Sequence, residues 1–141
     1  MLKDIMVHLD LAPSCKNRLE ASIGLARQHG ANLTGLYVYS SPRMNQPVQQ
    51  SAEVREMFEQ QVEGAGVSFD WLEVDIGFER VGVAEMIGYY TSFTDMLVVS
   101  QPLKADRDKQ YSVITSPERL ILGSGRPVLI IPASGTFPHI G

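Results

Sequence analysis

Short apolar runs and longer amphipathic stretches alternate along this chain, and that alternation is its first structural statement. Asp4 to Leu11 reads Asp-Ile-Met-Val-His-Leu-Asp-Leu, mostly apolar and with no polar face, which suits a strand buried on both sides. Ala12-Pro13-Ser14 interrupts it. From Cys15 to His29 the residues Leu19, Ile23 and Ala26 share one face of a helix, and Gly30 supplies a left-handed stop. Ala31 to Tyr39, rich in Leu, Val and Tyr, reads as a second strand. Strand, helix and strand in this order predict a parallel pair joined by a right-handed crossover.

The pattern then repeats. Ser40 to Pro47 holds two prolines among polar residues and reads as an irregular surface loop. Val54, Met57, Phe58 and Val62 recur at helical spacing within Val48 to Glu63, and Gly64-Ala65-Gly66 ends that helix. Val67 to Ile76 is a third strand, with rough alternation. A weaker helix follows over Arg80 to Ser92, since Gly82 and Gly88 each cost roughly 1 kcal/mol against alanine in a helix interior. Asp95 to Val99 is a fourth buried strand, a short helix begins at Thr115-Ser116-Pro117-Glu118, and Pro127 to Ile131 is a fifth strand. This order predicts an α/β domain built on an open, doubly wound parallel sheet with helices on both faces. Ligands of such sheets collect beyond the carboxyl ends of the strands. The segments to watch are therefore Asp10 to Ser14, Val38 to Pro42 and Ser100 to Ser116.

Bulk properties narrow the function. A chain of 141 residues with 44% hydrophobic and 20% charged residues fits one packed domain that needs neither disulfide nor metal. We place the domain at 1–134 and read 135–141 as a tail or linker. The net charge of −4 comes without a Lys/Arg stripe, so nucleic acid is not the expected partner. A lone cysteine, Cys15, excludes an intrachain disulfide and a thiolate zinc site. The first strand begins within four residues of Met1, leaving no room for an export signal, and no apolar run approaches the roughly 18 residues of a membrane span. A cytoplasmic setting without membrane attachment is the expectation.

Three stretches carry a family resemblance. The opening Lys3-Asp4-Ile5-Met6-Val7-His8-Leu9-Asp10, a strand ending in aspartate, resembles the first strand of universal stress protein (UspA-like) domains. Asp95-Met96-Leu97-Val98-Val99 resembles their fourth strand, and Glu118-Arg119-Leu120 through Arg126-Pro127-Val128-Leu129-Ile130-Ile131-Pro132 their last helix and strand. The resemblance implies a five-stranded sheet in the order 3-2-1-4-5, with the layering of adenine nucleotide alpha hydrolase-like and flavodoxin-like folds. It also implies a homodimer formed along the last strand and, in one branch of the family, ATP or AMP over the sheet. Gly135-Thr136-Phe137-Pro138-His139-Ile140-Gly141 is similar to the linker of tandem members, which makes a second universal stress repeat an alternative partner.

The chain departs from the nucleotide-binding branch at its glycines. That branch carries Gly-x2-Gly-x9-Gly-Ser/Thr after the fourth strand, whereas here no glycine occurs between Gly88 and Gly123. Ser100 and Gln101-Pro102-Leu103 stand where the loop should begin, and the final pair maps onto Ile114-Thr115. Glycine lets backbone N–H groups approach phosphate closely, and Pro102 has no N–H to offer. Lys104 to Lys109 mixes cations with carboxylates and reads as a solvated loop.

On the resemblance, a nucleotide would meet Asp10, Leu11, Val38, Ser100, Gln101, Thr115 and Ser116. Each has a plainer role beside it. Asp10 would either accept from a ribose or cap the following turn, and Val38 would either offer its backbone to adenine or pack as a strand valine. Thr115 and Glu118 have capping-box spacing with Pro117 in the first turn, so the hydroxyl either caps the helix or meets an anion at its amino end. His8, two residues from Asp10, reads as a hydrogen-bonded core histidine rather than a ligand. Cys15 at a helix start either gains reactivity from a lowered pKa or is incidental. No nucleophile elbow, Walker loop, dinucleotide turn or His-Glu-x-x-His helix occurs in the sequence. The expectation is a non-catalytic regulatory or stress-response domain with a degenerate nucleotide site that acts through dimerisation; the alternative is an ATP/AMP-binding module.

Overall fold

The structure is a computed structural model of the chain, and it describes residues 2–10, 14–39, 47–75, 94–100 and 127–131. The helices expected over 80–92 and from Thr115, the loop at 40–46 and the tail at 135–141 lie outside the described residues. Five strands are present: β1 (Asp4–Leu9), β2 (Asn32–Tyr39), β3 (Phe69–Asp75), β4 (Met96–Ser100) and β5 (Val128–Ile131). They form one sheet in the order β3-β2-β1-β4-β5, and every pairing is parallel. Helix α1 (Cys15–His29) joins β1 to β2, and α2 (Pro47–Ala65) joins β2 to β3.

Both helices lie on one face of the sheet, where they touch each other. Leu19, Leu25 and Ala26 of α1 and Val54, Phe58 and Val62 of α2 share a core with Ile5, Val7 and Leu9 of β1. Each of the larger side chains among them, taken wholly out of water, contributes about 1.5–3 kcal/mol to folding. Strand alternation turns Met6, His8, Leu36, Val38, Leu97 and Val99 to the other face, and they too are buried. This explains why the first strand reads as a continuous apolar run rather than an alternating one. Gly30 and Gly66, with φ of 63° and 72°, end the two helices in the left-handed conformation that side chains resist. The observed helix α2 is longer than expected, beginning at Pro47 and running through Ala65, because the helix-ending turn falls on Gly66 rather than Gly64. Gly35 has a packing role: a Cβ there would lie 2.9 Å from Trp71 and 3.1 Å from Leu9 and Phe58.

Candidate functional site at the β1–β4 seam

Strand β1 is the centre of the sheet, and its two edges differ. Toward β2 the register runs from Asp4↔Asn32 to Leu9↔Tyr37. Toward β4 it runs only from Ile5↔Met96 to Val7↔Val98. The chain winds toward β3 on one side of this seam and toward β5 on the other, which makes the β1–β4 seam the topological switch point where a crevice opens.

One side chain fills that opening. Arg18, on the first turn of α1, is 2% exposed and spreads its guanidinium between the carboxyl ends of β1 and β4. Its Nε donates to Ser100 Oγ at 2.6 Å, and Nη2 donates to Asp10 Oδ1 at 3.2 Å and to Ser14 Oγ at 3.3 Å. Its Nη1 donates to the His8 carbonyl oxygen and faces His8 Nδ1 at 3.3 Å. A guanidinium has five N–H donors and no acceptor, so each donor has a protein acceptor here. A buried charge is tolerated only when paired and hydrogen-bonded, and Asp10, itself 6% exposed, is the counter-ion.

The same geometry fixes the state of His8. Nδ1 faces a group that can only donate, so it must be the acceptor and Nε2 must carry the ring proton. Burial lowers the pKa of His8 from 6.5 to about 4, Asp10 opposing this and Arg18 reinforcing it. Nε2 is buried and has no hydrogen-bond partner among the described residues. Asp10 Oδ2 lies 3.7 Å from Nδ1, close enough to receive a protonated ring.

The sequence-derived site residues fall as follows. Asp10 directly follows β1, and its carboxylate is turned onto Arg18 instead of being presented to solvent. Ser100 ends β4, half-buried, and its hydroxyl also meets Arg18. Asp10 and Ser100 are thus brought together by one cation. Val38 is a buried valine near the end of β2, paired with Val74. Leu11, Gln101, Thr115 and Ser116 lie outside the described residues. The reactive reading of Cys15 is corrected: the thiol is buried, and desolvation raises its pKa despite the nearby Arg18. Ser14, at the start of α1, makes no capping bond with its side chain and accepts from Arg18 instead.

Arg18 itself escaped the sequence reading. Its signal was positional: Cys15, Arg18, Leu19, Ala21, Ser22, Leu25 and Ala26 are the buried residues of α1, so an arginine stands in a core-facing place with Asp10 just upstream. Among the described residues no group of His, Cys, Asp and Glu could hold a metal ion. No helix among them is long and apolar enough to cross a membrane.

Neither any protein-family model nor any curated protein matches the chain. Solved structures do. A universal stress protein family member from Burkholderia pseudomallei aligns over 92% of this chain and 96% of its own, with a TM-score of 0.66 and 23% identity. The fold is that of the universal stress proteins. A universal stress protein from Archaeoglobus fulgidus, solved in complex with dAMP, covers 92% of this chain and 97% of its own at a TM-score of 0.67 and 13% identity. One from Arabidopsis thaliana, solved with AMP bound, covers 92% and 91% at 0.64 and 18%. The universal stress protein fold accounts for the strand order β3-β2-β1-β4-β5.

Proposed function

We propose that this chain is a universal stress protein-like regulatory domain that catalyses no reaction, has a degenerate nucleotide crevice and works by association with a second copy along β5 or with another universal stress repeat. The observation that carries the reading is the engagement of Arg18. A nucleotide reaching for Asp10 or Ser100 would find both held by a buried guanidinium, and a phosphate seeking that cation would find its donors engaged. The missing glycines after β4 act in the same direction, since a phosphate cradle needs closely approaching backbone N–H groups. Strand β5 supports the partner part of the reading: it is an edge strand among the described residues, and Ile130 is 37% exposed upon it. Unpaired edges are templates for further pairing.

A second reading is favoured by the nucleotides in the solved structures from Archaeoglobus fulgidus and Arabidopsis thaliana. In it the chain is an ATP- or AMP-binding module using Asp10, backbone groups and the Thr115-Ser116 helix start. Calorimetric titration of the purified chain with ATP and AMP decides between them. The degenerate crevice predicts no heat and no thermal stabilisation at millimolar nucleotide. Micromolar binding abolished by Asp10→Ala would replace it with the nucleotide module.

A further inference from the structure

The atoms that converge on Arg18 define a ligand class of their own. They are Asp10 Oδ1, Ser14 Oγ, the His8 carbonyl oxygen, His8 Nδ1 and Ser100 Oγ. The carboxylate, the carbonyl and the unprotonated ring nitrogen have no proton to give, and the two hydroxyls present their oxygens. A phosphate placed among them would meet lone pairs and a negative charge. A planar cation whose donors diverge as a fork meets every acceptor at once, which a compact ammonium with three donors does not.

We propose that the β1–β4 crevice is a guanidinium receptor whose resident ligand is Arg18, so that Arg18 sets the crevice's specificity by excluding anionic ligands, and truncation of Arg18 leaves a site for a small free guanidinium cation. The proposal rests on the degenerate-crevice reading and adds a cause to it: the seam is closed by a tethered ligand, and its polarity is opposite to that of a phosphate site. Asp10 gives the receptor its charge, and His8 and Ser100 give it the shape of the fork.

The test uses the full chain carrying Arg18→Ala, with ethylguanidinium, ethylammonium, AMP and inorganic phosphate as probes in thermal unfolding. Ethylguanidinium is expected to raise the midpoint saturably, by roughly 5 °C at ten times its dissociation constant, and to leave the wild-type chain unmoved. Ethylammonium, of equal charge, should give less than half that shift, and AMP and phosphate none. Adding Asp10→Asn to Arg18→Ala should weaken the guanidinium response at least tenfold. If Arg18→Ala is unfolded at rest, the same ranking is read as far-ultraviolet circular dichroism regained on adding each probe. Equal rescue by the two cations, rescue by neither, or a larger shift with AMP or phosphate overturns the proposal. AMP binding to the wild-type chain would instead overturn the degenerate-crevice reading, while the guanidinium-to-ammonium ranking would still judge the receptor.

Discussion

The two edges of β1 are built by different means. Toward β2 the backbone closes the seam along the whole strand, from Asp4↔Asn32 to Leu9↔Tyr37. Toward β4 the paired register is shorter; a backbone bond from the Asp95 N–H to the Asp4 carbonyl, at 2.8 Å, continues it at the amino end, and side chains add to both ends. At the amino end Asp95 Oδ2 accepts from the N–H groups of Lys3 and Asp4, at 2.8 and 3.0 Å. At the carboxyl end Arg18 takes the His8 carbonyl that a ladder would otherwise use. A backbone seam depends little on residue identity, whereas a side-chain seam can be rewritten by one substitution. The difference explains how one sheet can keep its fold while the chemistry at its switch point changes.

The comparison breaks most sharply at Arg18. Removing one member of a buried pair strands the other, at about 3–5 kcal/mol, so Arg18→Ala should lower the denaturation free energy by that amount, read from the urea midpoint. Asp10→Asn in the same background should recover part of the loss, because the buried carboxylate that has lost its guanidinium counter-ion is then neutral; strict additivity would deny the pairing. Acid tests the same end of the seam. The folded chain holds His8 neutral with a pKa near 4, against 6.5 for a free ring. In the window between, the unfolded chain binds the extra proton. Stability is therefore complete above pH 6.5 and declines as pH falls toward 4, by up to roughly 3 kcal/mol. Denaturant titrations at neutral and acidic pH should show that slope, and a His8→Ala chain should lack its share of it.

Smaller effects belong to the other seam and to the amino end. Gly35→Ala inserts a methyl against Trp71 and Phe58, and overpacking of this kind costs about 1–3 kcal/mol. Its unfolding midpoint should fall while ethylguanidinium and AMP responses stay those of the wild type. Asp95→Ala removes two solvent-exposed hydrogen bonds, worth about 1 kcal/mol together after water replaces them. A loss at Asp95 as large as that at Arg18 would show that the two ends of the seam are not built differently.

Much of the fold was legible beforehand. Apolar runs at β1, β4 and β5, the helical stripes of α1 and α2, and the glycines at 30 and 66 stand close to where the structure has them, since local periodicity and backbone freedom are properties of neighbouring residues. The strand order came with the family resemblance, which no periodicity argument could supply. At the seam, Asp10 and Ser100 could be singled out because chain order puts both at the carboxyl ends of strands, and the structure places both against Arg18.

What the sequence determined by itself is therefore local: which segments are strands, which are helices, where they stop, and that no glycine loop follows β4. Tertiary structure alone decided the chemistry of the seam. Arg18 is 82 residues from Ser100 along the chain, and an arginine on an amphipathic helix reads as a solvated face. Only when β4 comes to lie beside β1 do the acceptors converge that make its burial tolerable. A buried charge is set by where its partners stand in space, and spacing along the chain does not encode that distance.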